Sequence, residues 1–470
     1  MMKLGKTMGL TSALMITGML AIGQQQEGGK QGTVPKGWHL LDKAKDGYSG
    51  ISLEKAYEFV KSKNIKGKTV VVAVIDSGID TLHEDLKAVL WTNPKEIPGN
   101  GIDDDHNGYI DDIHGWNFLG NKDGRNLKQD SYEGARVYHK YKDRFENADT
   151  TKLSAEDKIT YIMWSKAKAR ITGDNGGGVD LYQLKFALTS TEKSDSIIRA
   201  AMKKDVYTGN DLDTFAATTP AAKTAKAGIL YLFRANKMME TTNKEFLDGF
   251  GEYVNMETKK AEAKDKAPED FRGAITGDNE SDINDKYYGN ADVMANTPFH
   301  GTHVAGIIGA VRNNGIGMDG VADNVRIMAV RAVPDGDEHD KDIALAIRYA
   351  VDNGAQIINM SFGKDYSPNK KWIDEAVQYA NSKGVLLVHA AGNDAKDVDT
   401  EDNFPSPVFQ NGSGKAENWI TVGASGDDAA GGLTASFSNY GKKEVDVFAP
   451  GVKIYSTIPG GNTYGDAQGT

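Results

Sequence analysis

The strongest constraint on the fold is an unbroken apolar run, TVVVAVI, at residues 69–75, which leads directly into Asp76. A strand that is apolar at every position is buried on both faces, as in a parallel sheet covered by helices. Similar short runs are predicted as strands at 326–330, 357–360, 385–390, 419–422 and 445–448. Helical patterns lie between them at 303–311, 341–353 and 371–383. This alternation predicts an α/β fold with a mostly parallel central sheet, whose functional site lies at the carboxyl ends of the strands.

Residues 121–282 interrupt the alternation, because this stretch is rich in Lys, Glu, Asp and Ala and has no strong strand pattern. Helical patterns occur in it at 155–170, 194–204, 221–241 and 243–267. We therefore predict a large helical insertion between the two parts of one domain, residues 24–120 and 283–470. A partly disordered spacer is the alternative, and the Gly-rich stretch at 173–178 is compatible with it. Apolar clusters at 161–164 and 229–233 favour folded helices.

The N-terminus predicts an export signal. Lys3 and Lys6 precede a mostly apolar stretch at 8–22, so residues 1–23 are predicted to be a signal peptide. A short buried or membrane-embedded helix is the alternative, although the run is shorter than the roughly 20 residues that span a bilayer. No later stretch is apolar enough to cross a membrane, and the expected location is secreted or periplasmic.

Composition excludes several kinds of site. The absence of cysteine excludes a disulfide framework, a thiolate zinc site and a cysteine nucleophile. The formal net charge of −11 offers no basic surface for a nucleic-acid partner. The oligomeric state stays open.

Three polar residues stand where predicted elements begin or end. Asp76 ends the first strand and could orient a histidine, bind a cation or only cap a turn. His300 opens the string HGTHVAG at the start of a small-residue helix. His300 and His303 could instead share a metal, but the glutamate of the usual zinc-protease motif is missing. Asn393 follows a predicted strand, where its amide could donate to an oxyanion or simply occupy a turn.

The strings VIDSGID, HGTHVAG, INMSFG and AAGN, in this chain order, resemble those of subtilisin-like serine proteases. The resemblance covers roughly residues 38–112 and 287–470, and it implies a three-layer subtilisin-like fold. It also implies that Asp76 orients His300, that His300 is the general base and acid, and that Asn393 donates to the oxyanion. The substrate-binding residues that it implies are Ser361, Phe362 and Gly363 on one wall of the specificity pocket and Ala391 and Gly392 on the other.

The family's nucleophilic serine follows a Gly-Thr pair, and here Gly469-Thr470 are the last two residues. We therefore expect the printed chain to be inactive alone, as a fragment or as the product of a truncated gene. The expected function is a secreted subtilisin-like serine endopeptidase acting on proteins or peptides through an Asp-His-Ser triad. The alternative is a catalytically dead relative that binds peptides or acts as a scaffold.

Two segments predict structural calcium. The first, at 103–112, carries oxygen side chains at alternating positions around a glycine, like the start of an EF-hand loop, although His114 stands where the bidentate glutamate is expected. Its candidate ligands are Asp103, Asp105, Asn107 and Asp111. The second, at 312–318, resembles the family's calcium loop. Its implied ligands are the side chains of Asp85 and Asn314 and the carbonyl groups of Arg312, Ile316 and Met318. A solvated acidic turn and a plain Gly-rich turn are the respective alternatives.

Overall fold

The computed structural model describes residues 34–173, 181–235, 238–239, 242–296, 298–430 and 432–470. The predicted signal peptide at 1–23 and residues 174–178 of the Gly-rich stretch lie outside the described residues. Two compact units are present. One contains residues 34–163 and 268–470, and the other contains residues 164–267.

The first unit is built on a seven-stranded sheet with the strand order β2-β3-β1-β4-β5-β6-β7, in which every neighbouring pair is parallel. A separate antiparallel hairpin, β8-β9, follows it. The strands are β1 (Val70–Asp76), β2 (Gly115–Asn117), β3 (Val325–Arg331), β4 (Ile357–Met360), β5 (Leu386–Ala390), β6 (Trp419–Ser425), β7 (Val447–Pro450), β8 (Ile454–Ile458) and β9 (Thr463–Ala467). The prediction of an α/β fold with a mostly parallel sheet is confirmed.

Single helices separate consecutive strands between β3 and β4 and between β4 and β5. In chain order they are α1 (Lys43–Asp46), α2 (Leu53–Ser62), α3 (Glu133–Phe145), α4 (Ala155–Thr172), α5 (Leu181–Met202), α6 (Gly209–Thr214), α7 (Pro220–Ala235), α8 (Asn243–Glu262), α9 (Phe271–Thr276), α10 (Phe299–Gly309), α11 (Asp340–Asp352) and α12 (Lys370–Ser382). Short 3₁₀ helices occupy Trp38–Leu40 and Thr150–Lys152. In the part of the chain that the structure describes, no helix is both long and apolar enough to cross a membrane.

The continuous apolar run of β1 is explained by burial on both faces. Ala73 and Ile75 pack into the core formed with α11 and α12. Val72 and Val74 face the opposite way and pack into the core that includes Ala305 of α10. Because helices cover both faces, the unit has three layers, and every position of β1 before Asp76 is apolar.

The second unit is helical in all its described regular elements. Helix α5 packs against α7 and α8. Ile229, Leu230, Leu232 and Phe233 on α7 are buried in its core, as the apolar cluster at 229–233 predicts. The unit lies inside the predicted insertion at 121–282, and the exact limits of that insertion stay a prediction.

Candidate active site

Asp76 and His300 meet at the carboxyl end of β1. Asp76 is the last residue of β1, and His300 is the second residue of α10. The Nδ1 atom of His300 lies 2.8 Å from Oδ1 and 2.9 Å from Oδ2 of Asp76. The Asp76 side chain is 3% exposed and that of His300 is 55% exposed. A buried carboxylate therefore fixes one ring nitrogen of a histidine whose other edge is open to solvent.

The charge of Asp76 has a direct effect on His300. The Asp76 carboxylate raises the pKa of His300 above its ordinary value, while burial opposes the increase. Since Nδ1 is bound to Asp76, Nε2 is the nitrogen left to exchange a proton, and it has no hydrogen-bond partner among the described residues. A histidine held in this way can act as a general base and then as a general acid.

His303 has a separate role. Its Nε2 atom lies 2.9 Å from the carbonyl oxygen of Ile454 at the start of β8, and its ring is buried. Burial lowers the pKa of His303. His300 contacts Asp76 and His303 contacts β8, so the two rings do not converge on one point where a metal could be bound.

Asn393 lies beside the last residues of the chain. The backbone N–H of Thr470 donates to Oδ1 of Asn393 at 3.0 Å, and the N–H of Gly392 donates to Oγ1 of Thr470 at 3.1 Å. A Cβ placed on Gly469 would lie 3.5 Å from Nδ2 of Asn393. That amide nitrogen has no hydrogen-bond partner among the described residues, so it can donate to an added oxygen. No direct hydrogen bond joins this group to the pair formed by Asp76 and His300.

The segment Ser361–Gly363 follows β4 directly and offers an open backbone edge. The N–H and C=O groups of Gly363 make no hydrogen bond among the described residues. The next residue, Lys364, exchanges two backbone hydrogen bonds with Phe404, at 2.9 and 2.8 Å. A fixed segment with free backbone groups can pair with an extended peptide by strand addition.

Two residues that sequence reasoning missed connect the predicted pocket walls. Nδ2 of Asn403 donates to the carbonyl oxygen of Ala391 at 3.0 Å, and Oδ1 of Asn403 stands 2.6 Å from where a Cβ on Gly363 would be. His389 lies 2.9 Å from the carbonyl oxygen of Phe362 through Nε2, and burial lowers its pKa to about 4. No motif marks Asn403, whereas a histidine inside an apolar strand was a usable signal.

The first candidate calcium loop gathers carboxylates. Oxygen atoms of Glu96, Asp103 and Asp105 lie within 4.8 Å of one another. Glu96, which was not predicted, is 7% exposed, and its Oε2 atom is buried without a partner. Asn107 closes the turn by donating its N–H to Asp103 and Asp105. Asp111 points elsewhere, because its two oxygens accept the N–H groups of Gly99 and Gly101.

The second candidate calcium loop surrounds the buried carboxylate of Asp85. Its Oδ1 accepts from Nδ2 of Asn314 at 2.5 Å, and its Oδ2 accepts from the N–H of Met318 at 3.3 Å and the hydroxyl of Tyr464 at 2.9 Å. Oδ1 of Asn314 accepts the N–H of Ile316 instead. In this arrangement Asn314 presents a nitrogen, not an oxygen, to Asp85. The guanidinium of Arg312, whose carbonyl was the predicted ligand, donates to the carbonyl of Gly320.

The sequence model of the subtilase family matches residues 67–470. A thermophilic serine proteinase of Bacillus sp. (strain AK1) is 48% identical over 172 residues, which are 36% of this chain and 38% of that protein. Thermitase of Thermoactinomyces vulgaris is 37% identical over 199 residues, 41% of this chain and 65% of that protein. The solved structure of prenylagaramide maturation protease is 31% identical and matches with a TM-score of 0.30 over 36% of this chain and 58% of that one. The chain thus spans less than two thirds of each of these proteins.

Proposed function

Because this chain belongs to the subtilase family, we propose that it is the peptidase part of a secreted serine endopeptidase that uses an Asp-His-Ser triad. The observation that carries the proposal is the contact between His300 and the buried carboxylate of Asp76, 2.8 Å apart. That contact supplies an oriented base with a raised pKa, as acyl transfer from a hydroxyl nucleophile requires. The predicted signal peptide at 1–23 supports secretion.

In the proposed reaction, the serine that the family pattern predicts directly after Thr470 attacks the carbonyl carbon of the scissile peptide bond. As the new C–O bond forms, Nε2 of His300 takes the hydroxyl proton, and Asp76 stabilises the imidazolium through Nδ1. His300 then gives the proton to the leaving amine as the C–N bond breaks. His300 next takes a proton from water as the water attacks the ester carbonyl, and it returns that proton to the serine oxygen when the C–O bond to the serine breaks.

Two further features support the site. The free Nδ2 of Asn393 lies next to Gly469 and Thr470, so the oxyanion of a substrate carbonyl attacked by a serine just beyond Thr470 would be close to a donor. The open backbone of Gly363 suits a peptide substrate in the extended form, with Ala391 and Gly392 as the other wall of the pocket.

The test is cleavage by the full-length protein. The gene is sequenced beyond the codon for Thr470, and the complete product is assayed on casein with and without a serine-directed inhibitor. We expect inhibitor-sensitive cleavage that His300→Ala abolishes. Peptide binding without cleavage by a correctly folded full-length protein would instead favour the peptide-binding or scaffolding alternative, which the free edge of Gly363 also supports.

We also propose structural calcium at the loop of Glu96, Asp103 and Asp105. These carboxylates fit a hard cation, and the buried unpartnered Oε2 of Glu96 is the atom most in need of one. Bound calcium would supply the positive charge that lets three carboxylates stay close together. The loop around Asp85 and Asn314 fits less well, because the amide of Asn314 would first have to turn its oxygen inward.

Calcium titration of thermal unfolding tests this proposal. We expect added calcium to raise the unfolding temperature of the wild type and EDTA to lower it. Glu96→Gln should lose most of this shift. Asp111→Asn lies in the same loop but outside the carboxylate group, so it should keep the calcium shift even if the loop is weaker. An equal calcium response in Glu96→Gln and wild type would reject the site.

A further inference from the structure

Lys364 comes directly after the proposed substrate-binding segment Ser361–Gly363, and its side chain is only 2% exposed. Burying an ammonium group is costly unless acceptors surround it. Here Nζ lies 2.8 Å from Oε2 of Glu133, 2.7 Å from the carbonyl oxygen of Glu338 and 2.9 Å from Oδ1 of Asp340. Its three N–H groups are matched by three acceptors.

These acceptors belong to separate segments of the first unit. Glu133 is the first residue of α3, Asp340 is the first residue of α11, and Glu338 lies in the loop before α11. Burial lowers the pKa of Lys364, but the carboxylates of Asp340 and Glu133 outweigh it, so the pKa is raised above its ordinary value. Lys364 is therefore charged throughout the working pH range and holds α3 and α11 to the substrate-binding segment.

The start of α3 is itself held firmly. Nη2 of Arg136 lies 2.8 Å from Oε2 of Glu133 and 3.0 Å from the carbonyl oxygen of Asp337. The N–H of Glu133 donates to Oδ2 of Asp337 at 2.7 Å. Gly134 packs so closely that a Cβ there would lie 2.8 Å from the ring of Tyr366. The partner of Lys364 is thus a rigid anchor, not a mobile surface carboxylate.

We infer that Lys364 is a positioning residue for the proposed peptidase reaction. Its backbone is already bonded to Phe404 on both N–H and C=O. The ion pairs of its side chain hold the segment Ser361–Gly363 in one orientation. The unpaired N–H and C=O of Gly363 therefore stay pointed towards the position of an extended peptide. The inference rests on the proposed function, and it makes α3, which lies within the predicted insertion, a support of the substrate cleft.

The chain offers a matched control. Lys370, at the start of α12, has a side chain that is 9% exposed and an Nζ atom 2.5 Å from Oδ1 of Asp374 and 2.6 Å from the carbonyl oxygen of Val408. It is also a buried lysine with carboxylate and carbonyl acceptors. It does not contact the segment Ser361–Gly363, so it reports the cost of losing a buried lysine without the proposed positioning role.

The experiment compares Lys364→Met with Lys370→Met in the full-length protein. Both variants should unfold at a lower temperature than the wild type. Because peptide pairing is made in the substrate complex as well as in the transition state, we expect Lys364→Met to raise KM roughly tenfold with kcat changed less, whereas Lys370→Met leaves KM within about twofold. If Lys364→Met does not fold, Asp340→Asn and Asp374→Asn replace the pair. Each of these aspartates also accepts one backbone N–H at 2.7 Å, from Asn369 and Gln410 respectively.

Equal KM values for the two lysine variants would overturn the inference while leaving the proposed function intact. Absence of inhibitor-sensitive cleavage by the wild type would instead reject the proposed function. In that case the dissociation constant of a fluorescein-labelled casein hexapeptide, measured by anisotropy, decides the inference. Weaker binding by Lys364→Met than by Lys370→Met supports it. Equal binding by the two variants, or no binding by the wild type, overturns it.

Discussion

Gly301 gives the sharpest test of the contact between His300 and Asp76. A Cβ on Gly301 would lie 2.1 Å from the carbonyl oxygen of Gly78 and 3.1 Å from Cβ of Asp76. Both neighbours belong to β1 and the turn after it, so they cannot swing away like a flexible side chain. Gly301→Ala therefore has to move α10 away from β1 by about 1 Å, and a misplacement of that size costs about 100-fold in rate. Overpacking should also cost about 1–3 kcal/mol of unfolding free energy.

The assay is kcat/KM on a peptide substrate, together with the pKa of His300 measured by NMR. Because the charge of Asp76 raises that pKa, a longer distance should let it fall towards its ordinary value. Gly228→Ala is the control, since Gly228 lies in helix α7 and a Cβ there meets nothing within 4 Å. It should raise stability by about 0.5–1 kcal/mol without changing kcat/KM. A Gly301→Ala variant with wild-type kcat/KM and an unshifted His300 pKa would refute the reasoning.

Three further outcomes follow from the same site. Asp76→Asn should reduce kcat by about four orders of magnitude and move the rising limb of kcat/KM against pH to lower pH, because the pKa of His300 falls when the charge is removed. Asn393→Ala should lower kcat about 100- to 1000-fold with little change in KM, which is the loss known for removal of one oxyanion-hole donor from subtilisin. For His389, the folded-state pKa of about 4 lies below the ordinary 6.5, so the unfolded chain binds more protons between these values. Unfolding free energy should therefore fall as pH is lowered through this window, by up to about 3 kcal/mol, and His389→Gln should flatten the dependence in urea titrations.

The strands could be predicted where burial leaves a pattern in the sequence. β1 and β3 to β6 are covered on both faces or nearly so, and this requires continuous apolar runs. β2 has only three residues, Gly115–Asn117, which is too short for a period to appear. β8 and β9 pair with each other outside the main sheet, and their sequences mix Tyr, Thr and Ser, so neither was predicted.

The site was predictable where a residue type stands at the end of an element. Asp76 and His300 are of this kind. Asn403 and Lys364 are not, because their roles come from partners in other segments of the chain; Lys364 and Glu133, for example, are 231 residues apart. Glu96 precedes the predicted loop at 103–112, so the alternating pattern of that loop does not include it. Asp111, a predicted calcium ligand, lies outside the group formed by Glu96, Asp103 and Asp105 for a local reason. Its oxygens cap a turn whose glycines have positive φ angles, and an alternating pattern of oxygen side chains carries no information about that turn.

Asp76 and His300 are 224 residues apart in sequence, yet they stay in contact because the two ends of the intervening segment lie side by side. The N–H of Asn117 donates to the carbonyl of Asn290 at 2.9 Å, and the N–H of Asn290 donates back at 3.1 Å. A segment whose ends are paired destabilises the rest of the fold only through the entropy of loop closure, which costs about 0.6 kcal/mol for each doubling of its length.

The interpretation of a deletion in this segment therefore depends on which residues are removed. Removing residues 164–267 would spare Glu133 and its contact with Lys364. Removing the whole of 121–282 would delete Glu133 and leave the ammonium of Lys364 buried with one carboxylate fewer, a change expected to cost several kcal/mol in a buried ion pair. Loss of activity after the larger deletion would thus be explained by the cleft losing its support, and only the smaller deletion can reveal whether the helical unit itself contacts substrates.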